Sequence, residues 1–178
     1  MSFANPKRNI EQFSLEEGMD VADFGAGAGY LAVEAAEAVG KEGSVFVIDI
    51  QQELLTKSLH LAREHHLETI QFIHGDLEAE KGSTLPDESV DAVIISNLLF
   101  QVENEEAVLK EAYRVLKNGG KILVVDWRES FGGVGPQPDH VINEEEMREM
   151  VEKIDFKHVS DIDAGAYHYG LIFKKQNG

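Results

Sequence analysis

The stretch from Asp23 to Gly29 combines an acidic residue with glycine at positions 25, 27 and 29. Glycine at alternate positions lets the backbone turn tightly and lets a ligand approach without meeting Cβ atoms. An alanine-rich segment with apolar residues at helical spacing follows and predicts a helix from Tyr30 to Val39. The free N–H groups at the start of that helix would point toward the loop, where they could hold a carboxylate. The stretch is typical of a nucleotide-type binding loop.

Three further polar residues fall at or near the ends of predicted strands: Asp49, Asp76 and Asn97. In an open α/β sheet, ligands bind at the carboxyl ends of the strands, near the point where the strand order reverses. A single acid at a strand end is usually part of a loop. Four polar positions on four successive strand ends, with Asp23 first, favour a binding site. Loop capping by Asp23 and a simple turn at Asn97 remain the alternatives.

The spacing of the glycines distinguishes two classes of ligand. A dinucleotide-binding fingerprint requires glycine at the first, third and sixth positions. Counting from Gly25, the sixth position is Tyr30, whose large ring would occupy the place of close helix–strand contact. The spacing therefore argues against a dinucleotide. The sequence also lacks a Gly-x-Ser-x-Gly nucleophile elbow and a phosphate-binding Gly-Lys-Ser/Thr.

These residues need a scaffold that brings several strand ends together, and the apolar pattern predicts one. Apolar runs alternate with segments of helical periodicity along the chain. Helices are expected between most of the strands, but the polar segment from Leu77 to Ser89 is expected to be a loop with at most a short helix. Asn118-Gly119-Gly120 is expected to end the helix that begins at Asn104. The predicted strands are about Met19 to Phe24, Ser44 to Ile50, Ile70 to Ile73, Val90 to Ile95, Lys121 to Asp126, Phe156 to Ile162 and His168 to Lys174.

Strands that alternate with helices imply a parallel sheet covered by helices on both faces, with right-handed connections. The last two strands follow each other without a helix, so they are expected to pair as an antiparallel hairpin at the sheet edge. The predicted fold class is therefore α/β. It is a doubly wound, mostly parallel, seven-stranded sheet with an antiparallel last strand.

The pattern that begins at Asp23, an acidic residue, one apolar residue and Gly-x-Gly-x-Gly, resembles motif I of the class I S-adenosylmethionine-dependent methyltransferases. The order of strands and helices is similar to the Rossmann-like fold of that family over essentially the whole chain. The resemblance implies one class I methyltransferase domain over residues 1–178, with the seventh strand antiparallel between the fifth and sixth. It implies S-adenosyl-L-methionine as the cofactor and S-adenosyl-L-homocysteine as the product.

The resemblance also assigns parts of the cofactor to individual residues. Asp49 would accept both hydroxyls of the ribose diol, and Asp76 would accept the adenine amine. Asp23 would lie near the ammonium of the amino-acid tail, and Asn97 would offer an amide or a backbone carbonyl at the same end. The full set of expected cofactor-binding residues is Asp23, Gly25, Ala26, Gly27, Asp49, Ile50, Asp76, Leu77 and Asn97.

The acceptor site is expected, from the same resemblance, over the ends of the later strands. The expected substrate-binding residues are Phe100, Trp127, Arg128 and His140, and the expected catalytic residues are Tyr167 and His168. His168 is the candidate general base because the pKa of histidine is closest to neutral pH. Ordinary packing of the aromatic rings and a solvated charge at Arg128 are the alternatives.

Composition excludes several other functions. The sequence has no cysteine, so disulfides, thiolate zinc sites and cysteine nucleophiles are excluded, and no metal site is expected. A formal charge of −17 argues against binding of nucleic acid, because affinity for DNA and RNA comes largely from Lys and Arg. No apolar run approaches the roughly 20 residues of a membrane span, and the first 20 residues lack a signal-peptide core. A cytoplasmic location is expected.

The most consistent function is methyl transfer to a small-molecule acceptor. Methylation of a basic protein or peptide is an alternative that the acidic charge would favour, and a non-catalytic regulatory domain that binds the cofactor is another. The motifs are similar to a branch with quinone, sterol and arsenite methyltransferases, although arsenite chemistry depends on cysteines that this sequence lacks. Residues 1–17, with apolar Phe3, Ile10 and Phe13, are expected to form a helical lid. The acceptor and the oligomeric state stay open.

Overall fold

The computed structural model describes residues 4–176. Within that range, helices and strands alternate in the predicted order, and short 3-10 helices cover Leu99–Gln101 and Pro138–His140. No helix in the described part is long and apolar enough to cross a membrane. The elements are α1 (Pro6–Phe13), β1 (Asp20–Phe24), α2 (Tyr30–Val39), β2 (Ser44–Asp49), α3 (Gln52–Glu64), β3 (Ile70–His74), β4 (Val90–Ser96), α4 (Glu105–Val115), β5 (Leu116–Trp127), α5 (Glu144–Glu152), β6 (Phe156–Ile162) and β7 (His168–Lys175).

The strands form one sheet in the order β3-β2-β1-β4-β5-β7-β6. The first five strands are parallel, and β7 is antiparallel to both β5 and β6. The predicted fold class, including the place of the seventh strand, is confirmed. The strand order reverses between β1 and β4, so the segments that follow these two strands face each other across the switch point. This is where the glycine loop and Asn97 lie.

The core occupies both faces of the sheet. On one face, α1, α2 and α3 contribute residues such as Phe13, Val39 and Leu55. On the other face, α4 and α5 contribute residues such as Leu109 and Met147. Because the central strands are buried on both sides, they are nearly continuous apolar runs. Their carboxyl ends are consequently held in fixed positions.

Helix α1 begins and packs as its sequence predicts. The side chain of Asn5 accepts a hydrogen bond from the Arg8 backbone N–H at 3.1 Å, and Pro6 occupies the first turn. Ile10 and Phe13 are buried and belong to the core cluster that also includes α2. The helix therefore covers one end of the sheet. Phe3, which belongs to the expected lid, lies outside the described residues.

The far end of α1 is tied to the loop between β6 and β7. The Gln12 side chain donates to the Asp163 carbonyl at 3.1 Å, and the Asp163 N–H donates back to Gln12 Oε1 at 2.9 Å. Arg8 Nη2 lies 2.7 Å from Asp163 Oδ2. Both sides of this pairing are exposed, so the salt bridge adds little stability. Its effect is to fix the orientation of α1.

One predicted boundary is wrong. Helix α4 ends at Val115 and does not continue to residues 118–120. The Val115 carbonyl accepts from the Ser89 N–H at 2.8 Å, and Leu116 is already paired with β4 as the first residue of β5. Residues 118–120 form an irregularity within β5, where Gly119 has φ 76°. Leu116 is already paired with β4, so the chain is in a strand before it reaches the glycines. The glycines therefore accommodate a bulge in β5 and do not end a helix.

Candidate functional site

The glycine loop connects β1 to α2, and its glycines have different roles. Gly27 has φ 48°, and a Cβ placed there would meet no atom within 4 Å. Gly29 has φ 87°, but a Cβ there would lie 2.6 Å from Ser58 Oγ and 2.9 Å from Ser58 Cα. The expectation that all three glycines leave room for a ligand is therefore wrong for Gly29. Gly29 permits close packing of the loop against α3, whereas Gly27 borders open space.

Asp49 anchors the loop from the end of β2. Its Oδ2 accepts from the Ala26 N–H at 2.8 Å, and its Oδ1 accepts from the Gln51 N–H at 2.7 Å. The side chain is buried at the edge of the site. Each carboxylate oxygen has a second lone pair, so Asp49 can still accept hydrogen bonds from a ligand. Two backbone N–H groups thus fix the orientation of the carboxylate before any ligand binds.

A cavity of about 190 Å³ lies over the ends of β2, β3 and β4, and we call it the strand-end cavity. It brings together five of the predicted cofactor-binding residues from the early strands and Asn97 from β4. Asp76 is exposed, and its Oδ1 accepts from the Glu78 N–H at 3.0 Å, while Leu77 is buried. The predicted residues that line this cavity are Gly25, Asp49, Ile50, Asp76, Leu77 and Asn97.

A second cavity of about 270 Å³ surrounds the glycine loop, and we call it the loop cavity. It is lined by Asp23, by residues 25–31 and by α1 through Pro6 and Asn9. The loop cavity and the strand-end cavity share Gly25, Ser96, Asn97 and Gln101 as lining residues. Together the two cavities form one elongated site across the switch point. The amino-terminal segment was expected to cover the site, but Pro6, Asn9 and Gln101 were not predicted individually, because no local pattern marks a residue that reaches the site only through folding.

Three residues that line the loop cavity have a buried side-chain oxygen with no hydrogen-bond partner in the described structure. These oxygens are Oδ1 of Asp23, Oδ1 of Asn97 and Oδ1 of Asn9. Burial, together with the nearby charge of Asp49, raises the pKa of Asp23 to about 8. A buried acceptor without a donor costs free energy, so such groups cluster where a ligand completes the hydrogen bonds.

The predicted acceptor residues fall into two groups. Phe100 and His140 line an open groove of about 500 Å³, the outer groove, together with Gln101 and Val102. Gln101 and Val102 also line the strand-end cavity, so the outer groove is continuous with it. The outer groove also includes acidic side chains, among them Asp139.

The second group is an aromatic cluster at the start of β7 and the end of β5. The ring centroids of Trp127 and His168 are 4.4 Å apart, and those of Phe131 and Tyr167 are 4.7 Å apart. His168 is 2% exposed, and neither of its ring nitrogens has a hydrogen-bond partner among the described residues. Burial, aided by the charge of Arg128, lowers the pKa of His168. The imidazole is therefore neutral at pH 7.

Arg128 extends outward from this cluster. Its Nη1 lies 3.0 Å from Oε2 of Glu144, and both side chains are substantially exposed. Its backbone N–H donates to the Tyr167 carbonyl at 2.9 Å and so connects the β5 end to the β7 start. The structure thus places the guanidinium in a surface ion pair, at the edge of the aromatic cluster.

One titratable residue at this edge was not predicted. Asp126 is buried at the end of β5, where Oδ1 accepts from the Trp127 N–H at 2.8 Å and Oδ2 has no partner in residues 4–176. Burial raises its pKa to about 7, although the hydrogen bond from the Trp127 backbone favours the ionised form. An acid that ends an apolar strand was the signal that identified Asp49, and the same signal was available for Asp126.

Comparison with known proteins identifies the relatives of the chain. A family model described as a methyltransferase domain matches residues 15–172. The chain is 31% identical over 133 residues to a demethylmenaquinone methyltransferase of Listeria welshimeri, which covers 70% of this chain and 55% of that protein. It is 30% identical over 130 residues to an arsenite methyltransferase of Halobacterium salinarum, which covers 72% of this chain and 31% of that protein.

The fold is shared over a larger part of the chain than these sequence matches cover. A crystal structure of a SAM-dependent methyltransferase from Aquifex aeolicus superimposes with a TM-score of 0.87 at 25% identity, and the match covers 97% of this chain and 90% of that one. In contrast, the chain spans about half the length of the demethylmenaquinone methyltransferases that it matches.

Proposed function

The chain belongs to the methyltransferase-domain family, and from this premise we propose that it transfers a methyl group from S-adenosyl-L-methionine to a small-molecule acceptor. The observation that carries the proposal is the elongated site formed by the strand-end cavity and the loop cavity on either side of Gly25 and Asn97. When bound, the cofactor supplies an electrophilic methyl group on a sulfonium. The residues of the chain bind and orient the two reactants, which is the main requirement of a direct displacement.

The strand-end cavity suits the adenosine half. The carboxylate of Asp49 is held by two backbone N–H groups, and its free lone pairs can accept both hydroxyls of a ribose. Asp76 lies at the other side of the cavity and can accept an exocyclic amine, next to the apolar side chain of Leu77. A planar base would lie between Leu77 and Ile50.

The loop cavity suits the amino-acid tail. Gly27 leaves space above the backbone, and the N-terminus of α2 has no side-chain cap, so its N–H groups can hold a carboxylate. Asp23 and Asn97 present unpartnered oxygens to the same cavity and can accept from the ammonium. The residues present therefore fit both ends of the proposed cofactor.

The outer groove and the aromatic cluster suit an acceptor. Phe100, His140 and Trp127 offer flat ring surfaces, and the outer groove is continuous with the strand-end cavity through Gln101. A neutral His168 can accept a proton if the acceptor must lose one. We propose this role for His168, with Tyr167 and Arg128 at the border of the acceptor site.

The small-molecule class is supported by the relatives, whose names give a quinone precursor and arsenite as substrates. The sequence contains no cysteine, so a thiolate-dependent arsenite reaction is a poor fit. We therefore favour a planar organic acceptor, which an aromatic cluster can hold by stacking.

Helix α1 is proposed as the lid of this site. Its amino-terminal half lines the loop cavity, while its carboxyl-terminal half is fixed by Ile10, Phe13 and the pairing of Gln12 with Asp163. Hydrogen exchange of residues 4–16 should slow when S-adenosyl-L-homocysteine binds. Equal exchange with and without ligand would leave α1 a static packing role.

Mass-spectrometric detection of methyl transfer tests the activity itself. The protein is incubated with S-adenosyl-L-methionine carrying a labelled methyl group and with either a metabolite pool or a pool of basic peptides. Labelled small molecules are the expected product. Label in peptides alone would contradict the small-molecule assignment, and cofactor binding without turnover in either pool would indicate a regulatory domain.

A further inference from the structure

Asn9 is a polar residue on the buried side of a surface helix, and the proposed function gives it no role. It is 1% exposed, and its Oδ1 has no hydrogen-bond partner in the described part of the chain. It lines the loop cavity from α1, opposite the glycine loop. A buried amide oxygen without a donor costs free energy, so its retention calls for a partner.

The chemistry of three unpartnered oxygens defines the kind of partner that would suit them. Oδ1 atoms of Asn9, Asp23 and Asn97 are unpartnered and belong to residues that line the same cavity. The two amide oxygens accept hydrogen bonds, as Asp23 does when it is ionised, and none of the described residues that line the loop cavity is Lys, Arg or His. A water molecule has only two donors, whereas a primary ammonium has three donors and a positive charge.

The charges around the cavity favour the same ligand group. Asp23 and Asp49 are neighbouring carboxyl groups, and the negative charge of Asp49 disfavours ionisation of Asp23. A cation between Asp23 and the amide oxygens would remove this conflict and would make each hydrogen bond charge-assisted. The three oxygens belong to three separate parts of the chain: α1, β1 and the segment after β4.

We propose that Asn9 is a specificity-determining residue whose side-chain oxygen binds the ammonium group of the cofactor's amino-acid tail. The position of α1 over the loop cavity would then depend on whether the ligand carries that ammonium. This inference rests on the proposed function, because the ammonium belongs to the proposed cofactor. It gives α1 a chemical role beyond covering the site. The protein should distinguish ligands that carry the amine from ligands that lack only that group.

The test compares two ligands and two variants of the protein by isothermal titration calorimetry. The ligands are S-adenosyl-L-homocysteine and its deamino analogue, which keeps the carboxylate and lacks the amine. Asn9→Leu removes the oxygen and keeps the number of side-chain heavy atoms. It should weaken binding of S-adenosyl-L-homocysteine by about tenfold or more and change binding of the deamino analogue less than twofold.

The matched control is Asn5→Ala, which removes the cap of α1 and leaves the loop cavity unchanged. It loosens α1 but keeps the Asn9 oxygen, so it should weaken binding of S-adenosyl-L-homocysteine less than Asn9→Leu does. Asn9→Ala repeats the test if Asn9→Leu does not fold, with the same expected difference between the two ligands.

Equal losses for both ligands in the Asn9 variants, or no loss for either, would overturn the ammonium contact. If the wild-type protein binds both ligands but the Asn9 variants do not lose more affinity for S-adenosyl-L-homocysteine than for the deamino analogue, the inference fails and the proposed function stands. If the wild-type protein binds neither ligand, the proposed function fails and the inference fails with it.

Discussion

The two halves of the candidate site are built in different ways. In the cofactor half, the backbone sets the positions: two N–H groups hold the Asp49 carboxylate, and positive φ angles shape the glycine loop. In the acceptor half, side chains set the positions by packing on one another, as Trp127 does on His168. The segment between β5 and α5 that borders this half contains a single isolated bridge, between Phe131 and Val134, and a 3-10 turn.

This difference has a physical cause. A glycine loop and an acid at a strand end bind a ligand through their backbone positions, and the fold determines those positions. An aromatic cluster can be repacked without changing the sheet, so the acceptor half can change with the substrate. We expect mutations in the first half to affect cofactor binding and mutations in the second to affect turnover.

The largest expected effect is in the cofactor half. Asp49→Ala removes the proposed contacts to the ribose and also frees the Ala26 N–H that shapes the loop. Affinity for S-adenosyl-L-homocysteine should fall roughly ten- to a hundredfold, or about 1.5–3 kcal/mol, as measured by calorimetry. Asp76→Ala is the control, because Asp76 is exposed and should cost less. Equal affinities of Asp49→Ala and the wild-type protein would show that the Asp49 carboxylate does not contact the ligand.

Gly27 and Gly29 of the glycine loop provide the next comparison. Gly27→Ala places a Cβ in open space in the loop cavity and should weaken ligand binding about tenfold while costing about 1 kcal/mol of stability. Gly29→Ala brings a Cβ against the backbone of Ser58 and should destabilise the fold by about 1–3 kcal/mol. Thermal melts and titrations of both variants measure the contrast. A larger loss of stability in Gly27→Ala would reverse the assigned roles.

The acceptor half is tested with Trp127→Ala and His168→Ala. Each should lower turnover with a known acceptor by at least tenfold, because the first removes a stacking surface and the second the proposed base. Cofactor affinity should stay within about threefold, or ~0.7 kcal/mol. Loss of cofactor binding in both variants would show that the two halves are not separate. Unchanged turnover in both variants would indicate that the acceptor binds closer to His140.

Residues of the site that are marked by local sequence features could be predicted, whereas residues that depend on packing could not. Asp23, Asp49 and Asn97 were predictable because strand ends and glycine spacing are local features, and the structure brings all three to one site. Asn9 was not predictable, since its contact with the loop cavity depends on how α1 packs on the sheet. Asp126 was predictable in principle, because it ends an apolar strand as Asp49 does.

The fold was more predictable than the contacts within it. The alternation of apolar runs and helical periods predicted the sheet, because both faces of the central strands must be buried. The boundary between α4 and β5 was wrong because Gly119 was interpreted as the end of a helix, whereas β4 pairing had already started the strand at Leu116. Likewise, the contact of Gly29 with Ser58 joins two separate elements, and sequence spacing alone does not indicate it.

The smallest expected effect concerns pH. Burial and the charge of Asp49 raise the pKa of Asp23 from its ordinary 3.8 to about 8, so the folded, ligand-free protein retains a proton that the unfolded chain loses. Asp23 therefore destabilises the fold progressively as the pH rises from about 4 to 8. Asp23→Asn should raise the melting temperature by about 2–4 °C at pH 8 and by less at pH 5.

The control for this prediction is ligand affinity in the same variant. Asp23→Asn should bind S-adenosyl-L-homocysteine more weakly even where it is more stable, because the site loses a carboxylate that faces the proposed ammonium. A melting-temperature difference that stays constant between pH 5 and pH 8 would contradict the raised pKa.

Calorimetric titration of the wild-type protein with S-adenosyl-L-homocysteine, and separately with a nicotinamide dinucleotide, tests the central claim most directly. The elongated site across the switch point and the tyrosine at the sixth position of the glycine loop predict saturable binding of one S-adenosyl-L-homocysteine per chain and no heat with the dinucleotide. Binding of the dinucleotide without binding of S-adenosyl-L-homocysteine would contradict the proposed cofactor and the reading of the glycine spacing together.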